Sequence, residues 1–173
     1  MKQYRPASVG DAVQVANNLR PEDLQELEGL GHTPLGVPFS VLASDVAVAF
    51  FTKEGAIAGV AGIVPDPREG VGIIWMLCTP EVQKEPFTFV RQAKKWLADE
   101  QRNYRLLWNL ADARNHFHHK LLKMLGFKAL SSIPMQPYGL PYLEIVKLCA
   151  YPQQQLEQVQ QQPQQVSKLQ DSP

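Results

Sequence analysis

Apolar positions repeat along this chain first with a helical period and then with a strand period. Val13, Ala16 and Leu19, followed by Leu24, Leu27 and Leu30, recur every three or four residues, which predicts amphipathic helices with those side chains inward. Asp11 is placed to cap the first helix. Pro21 suits the first position of the second, Gly31 stops it, and Thr33-Pro34 opens a third that runs to Leu42. From Val46 the pattern changes. Residues 46–51 and 56–64 read as strands joined by Lys53-Glu54-Gly55, and 66–70 form a second turn. Residues 72–79 are apolar at odd and even positions alike, as in a strand covered on both faces.

In the second half, Pro86 starts a long helix to about 102. Phe89, Val90, Ala93, Trp96 and Leu97 form its apolar stripe, and Arg91, Lys94, Lys95 and Asp99 its outer face. Residues 105–110 read as a strand. Asn115 then caps a helix with Phe117, Leu121, Met124 and Leu125 inward and Gly126 as its stop. Residues 142–148 alternate as a last strand, and 3–5 offer a short first one. Antiparallel hairpins followed by alternating helices and strands predict a single α/β (α+β) domain over 1–150. Its central sheet is mixed and mostly antiparallel, with helices on both faces. Residues 151–173 are rich in Gln and poor in large apolar residues. This tail reads as solvated, or as a segment that orders on a partner.

Composition narrows the functional classes. Lys and Arg total 17, as do Asp and Glu, so the chain has no overall field to draw it onto nucleic acid or an anionic membrane. Cys78 and Cys149 form no CxxC pair, which suits a reducing compartment. No apolar run approaches the roughly 20 residues that span a bilayer.

One segment carries a specific likeness. Asn115-His-Phe-His-His-Lys-Leu-Leu-Lys-Met-Leu-Gly126-Phe127, preceded by a strand and by a long helix, resembles the signature of the GNAT family of N-acetyltransferases, in which Asn opens a helix and Gly-Phe closes it. The resemblance implies a GNAT-like fold with acetyl-CoA held between a fourth and a fifth strand that diverge. The expected cofactor contacts are then Leu77, Cys78, Thr79, Gln83, Lys84, Asn109 and Asn115. The family's donor loop, Gln/Arg-x-x-Gly-x-Gly/Ala, offers backbone amides to a diphosphate at a helix N-terminus. Here the loop in register is Gln83-Lys84-Glu85-Pro86-Phe87-Thr88. Pro86 brings no N–H, Thr88 brings a side chain where backbone must approach phosphate, and Glu85 brings a negative charge. Acetyl-CoA binding is therefore expected to be weak, and activity weak or absent.

The family often places a general-acid Tyr seven residues after the Asn; that position is Leu122. The remaining catalytic candidates are Glu81, after the fourth strand, and His118, as bases. His116 and His119 share a helix face, but no acidic or thiol ligand at suitable spacing in that helix completes a metal set, so no metal is expected. Asp112 and Arg114 can pair with each other or with a partner, and Tyr138-Gly139 between prolines reads as a rigid loop on the acceptor side.

A second likeness overlies the first. Arg5-Pro-Ala-Ser8 with Asp11, the 24–35 segment, Trp75-Met-Leu-Cys-Thr79, Asp112-Ala-Arg-Asn115 and Met135-Gln-Pro-Tyr-Gly-Leu-Pro141 are similar to the internal virion protein A family of short-tailed coliphage-like viruses. This implies a core-associated component of the virion interior, present in the host cytoplasm before assembly. It would work through contacts with other virion or host proteins in assembly or DNA ejection, without membrane or sequence-specific nucleic-acid binding. The alternative is an active acyl-CoA-dependent N-acetyltransferase that modifies a host or viral amine. An adaptor that binds a host protein is a third reading.

Overall fold

A computed structural model describes residues 3–149; the Gln-rich segment lies outside them. The elements follow the expected order, with one addition. Strand β1 (Tyr4–Pro6) leads into helices α1 (Val9–Ala16), α2 (Pro21–Gly29) and α3 (Gly36–Ala43). Strands β2 (Val46–Phe51), β3 (Ile57–Pro65) and β4 (Val71–Cys78) form a meander. Helix α4 (Pro86–Glu100), strand β5 (Leu106–Asp112), helix α5 (His116–Met124) and strands β6 (Lys128–Met135) and β7 (Leu140–Leu148) complete the domain. The seven strands make one sheet in the order β1-β2-β3-β4-β5-β7-β6. Every pairing is antiparallel except β4 with β5.

The sheet has a core on each side. One packs Phe50, Ile63, Phe89, Trp96, Leu107 and Leu121 under α4 and α5, with Phe50 set edge-on to Phe89 and Trp96. The other packs Ala49, Val60 and Leu77 under Ala12 and Val15 of α1 and Val37 and Val41 of α3.

Local details differ from the sequence reading for identifiable reasons. Ser8, not Asp11, caps α1: its Oγ accepts from the Asp11 amide at 3.1 Å, and Asp11 Oδ2 accepts back from the Ser8 amide at 2.8 Å. Starting the helix at Val9 turns Ala12 and Val15 inward and leaves Val13 exposed. Asp11 also binds Arg5 through both carboxylate oxygens, at 2.7 and 2.8 Å. Burial works against its charge, but the Arg5 and Ser8 bonds prevail and hold its pKa at about 2. That stabilisation is present above the ordinary value of 3.8 and is lost as pH falls through about 2. Thermal melts of Asp11→Asn across this acid range are expected to lose less on acidification than the parent protein, which would start from a higher Tm near neutrality.

Helix α3 begins at Gly36 instead of Thr33, because 33–37 closes as two tight turns, Gly36 N to Thr33 O and Val37 N to Pro34 O. On α5, Met124 is 47% exposed and not inward, since Leu121 and Leu125 already fill that face. Strand β6 had no signal: six of its eight residues face solvent, so the segment lacks the alternation that marks a strand. Gly126, at φ +87, closes α5 as expected.

Candidate functional site

Strands β4 and β5 are hydrogen-bond neighbours only where Val71–Ile73 lies against Leu106–Trp108. Beyond that point they part. β4 stays with β3 to its last residue, Cys78, while β5 stays with β7 as far as Asp112. Asn109 marks the fork, its Nδ2 donating to the Ile74 carbonyl at 2.6 Å. Past it a cavity of about 380 Å³ occupies the gap. Its walls come from both cores: Trp75, Leu77, Leu27 and Leu30 on the α1–α3 side, Trp96 and Leu122 on the other. Glu26, His32, Ser40, Asn109 and His118 supply its polar side chains.

Parting two strands strands their backbone amides, and a buried N–H without an acceptor is costly. Helix α2 resolves this. Asp23 and Glu26, one turn apart, lie across the open end of the fork. Asp23 Oδ2 accepts from the Cys78 amide at 2.7 Å, and Glu26 Oε1 accepts from the Asp112 amide at 3.1 Å. The Arg20 amide donates to the Cys78 carbonyl at 2.9 Å, and the Tyr142 hydroxyl donates to the Glu26 carbonyl at 2.7 Å. Arg20 is buried with Asp23, Nη2 to Oδ1 at 2.7 Å, and its guanidinium lies 4.3 Å from the Phe117 ring centre. Gly29 lets the helix come this close: a Cβ there would sit 2.5 Å from Tyr142 Oη.

These residues share the inward face of α2 with the expected leucines, of which Leu27 packs on the core and Leu27 and Leu30 line the cavity. The fully buried side chain is Asp23, whereas Leu24, Leu27 and Leu30 are half-buried. Sequence reading passed over Arg20, Asp23 and Glu26. Their spacing of three is the only local signal, and solvated faces show it just as often.

Asn115 joins the network. Its Oδ1 accepts from the His118 amide at 3.2 Å as the helix cap, and its Nδ2 donates to Asp23 and Glu26 at 3.1 and 2.8 Å. The Nδ1 of buried His118 lies 3.2 Å from Glu26 Oε2. Burial lowers the His118 pKa, but the Glu26 bond and the Glu26 and Asp23 charges more than offset it, so the net shift is upward. Asp23, Glu26 and His118 bring ligand-type atoms within 4.8 Å of one another. Arg20, Asn115 and two backbone amides already occupy the two carboxylates, so this cluster reads as a hydrogen-bonded bridge.

The other sequence candidates divide by location. Leu77, Asn109 and His118 line the cavity, and Cys78 and Asn115 stand in the bridge behind it. Burial pushes the Cys78 thiol well up, with Asp23 adding to it, which leaves it inert as a nucleophile. Thr79 is fixed to β3, its hydroxyl donating to the Ile57 carbonyl at 2.7 Å. Glu81 and Lys84 pair with each other at 2.7 Å in the turn at 80–83, and Gln83 is exposed beside them; none of the three lines the cavity. Glu85 stands at the start of α4 and accepts from the Lys53 amide at 3.3 Å; no side chain caps that helix. His119 donates from Nε2 to the Asp112 carbonyl at 2.7 Å, and His116 is exposed. Arg114 grips Asp112 through Nε and Nη2, at 2.9 and 2.6 Å. Tyr138 is exposed on a groove of about 570 Å³, which also has Glu28 and Arg114 on its walls and shares His32 with the cavity.

By strand parity, Met76 turns its N–H and C=O to the same edge of β4 as Ile74 and Cys78. Asn109 engages Ile74 and α2 engages Cys78. Met76 therefore offers the strand edge that faces the open part of the gap.

No family model and no curated protein matches this sequence. Solved structures do match. A GNAT-family acetyltransferase from Streptococcus pneumoniae aligns with a TM-score of 0.62 at 17% identity over 85% of this chain and 98% of that one. A GNAT-superfamily phosphinothricin acetyltransferase from Sinorhizobium meliloti, in complex with AcCoA, aligns at 0.62 and 16% over 87% and 90%. Spermidine N-acetyltransferase from Vibrio cholerae, in complex with CoA and spermine, aligns at 0.62 and 12% over 84% and 94%. The fold is thus GNAT-like, as the sequence implied. Nothing in these matches bears on a virion protein.

Proposed function

We propose that the chain is an acyl-CoA-dependent N-acyltransferase that acts on an amine. The observation that carries this reading is the three-residue contact of β4 with β5, followed by a fork whose cavity holds His118 and Asn109. A thioester laid along the free edge of β4 finds the Met76 amide as donor to its carbonyl oxygen, where negative charge develops on attack. The acceptor amine enters from the groove at Arg114 and Tyr138. Its lone pair forms the C–N bond, and the C–S bond then breaks. The amine nitrogen gives up one proton and the departing sulfur takes one.

His118 is the group placed to move that proton. The Tyr expected seven residues after Asn115 is replaced by Leu122. His118 is four residues earlier, hence on the same helix face, and both line the cavity. Its raised pKa enlarges the protonated fraction near neutrality, and Glu26 orients the ring.

The donor loop supports weak affinity for the diphosphate. The first turn of α4 has Pro86 at its first position and the Glu85 carboxylate beside it. Calorimetry with acetyl-CoA tests the proposal: binding that a buried-site change such as Leu77→Trp abolishes supports it, and no heat at millimolar ligand ends it. Pro86→Gly with Thr88→Gly is expected to tighten acetyl-CoA by about tenfold, the worth of one regained hydrogen bond to a charged group. The same loop is what favours the second reading, a non-catalytic scaffold acting through protein contacts, which an absence of binding in both proteins would leave standing.

A further inference from the structure

The cavity in the fork is large for a protein interior. Its 380 Å³ equals roughly a dozen water volumes, whereas packed interiors leave few voids larger than one water. It does not end at the strand edge. Beyond β4 and β5 it continues under α4 and α5, where Ala61, Ala93, Trp96, Leu97, Leu125 and Phe127 form its walls. All six are apolar, and all but Ala61 belong to α4 or to the end of α5 and the residues that close it. The polar side chains come from elsewhere: Glu26 from α2, His32 from the loop after it, Ser40 from α3, Asn109 from the fork and His118 from the first turn of α5.

We infer that this inner chamber binds the aliphatic chain of a medium-length acyl group, so that the donor is a fatty-acyl thioester. The inference rests on the transferase reading for the thioester and on the chamber alone for the chain. A linear chain fits for two reasons. It can follow a space that passes between two strands of one sheet, and it carries no polar atom that would need a partner among these six side chains. The reacting carbonyl then stops at the polar rim beside His118, and the hydrocarbon lies beyond Asn109.

Titration of the whole chain with acetyl-CoA, decanoyl-CoA and decanol, read by tryptophan fluorescence and by thermal shift, tests this. Trp75 and Trp96 both line the cavity and report its filling directly. Each fully buried methylene multiplies affinity by roughly four. Even partial burial should therefore make decanoyl-CoA at least about a hundredfold tighter than acetyl-CoA. Ala93→Phe fills the chamber from α4 and should reduce decanoyl-CoA to the acetyl-CoA level. Ala61→Leu does so from β3 should the first variant not fold. Equal affinities of the two esters for the parent protein overturn the chamber and leave the transferase reading intact. Binding of decanol with neither ester bound overturns the transferase reading and upholds the chamber, and no binding of any of the three overturns both.

Discussion

Replacing Arg20 by Met is expected to destabilise the fold by about 3–5 kcal/mol, the range for breaking a buried ion pair from one side. For a domain of this size that is a fall in Tm of roughly 10 °C. Arg20 and Asp23 are 1% and 0% exposed, and no water can reach the carboxylate that the change leaves behind. Asp23→Leu should cost a similar amount, because it orphans the Arg20 guanidinium together with the Cys78 amide. The double substitution removes both charges, so its cost should fall short of the sum by about 2–3 kcal/mol, leaving the unsatisfied Cys78 amide as the remainder. Urea unfolding of the four proteins closes the cycle. Additive single effects would show that the bridge across the fork is held by packing alone, and that the pair is incidental to it.

That bridge also explains what the sequence could and could not disclose. The order of the elements was legible because each hairpin and amphipathic helix buries one face, and burial imprints a period on the chain. The helix at Asn115–Phe127 was legible because its cap and its left-handed stop are local, needing only Asn115 and Gly126. Strand β6 was not, since an edge strand wet on both faces has no period to imprint. The polar half of the inward face of α2 was missed for a deeper reason. Its buried carboxylates answer amides at Cys78 and Asp112, 55 and 86 residues further along. Nothing near Asp23 announces those orphaned donors; they exist only because β4 and β5 diverge. His118 could be named as a candidate from its motif, whereas its partner Glu26 follows from the same distant geometry.

The same geometry sets the largest kinetic effect. His118→Ala is expected to lower kcat about a hundredfold at neutral pH, the low end for a lost general acid, with little change in KM for the donor. Size alone would not separate proton transfer from a structural role, so the pH profile decides. A group that works in its protonated form loses activity as pH rises through its pKa. The parent protein should therefore show an alkaline limb displaced above the ordinary imidazole value of about 6.5, the direction in which Glu26 and Asp23 move His118. His118→Ala should lack that limb. Adding Leu122→Tyr puts a phenol on the same face one turn later, seven residues after Asn115. It should restore about tenfold of the lost rate and move the limb toward the phenol range near 10. Release of free thiol from the acyl-CoA donor, followed with saturating amine acceptor, measures all three proteins. An unchanged limb in His118→Ala would move the proton transfer to another group and reduce His118 to a strut of the bridge.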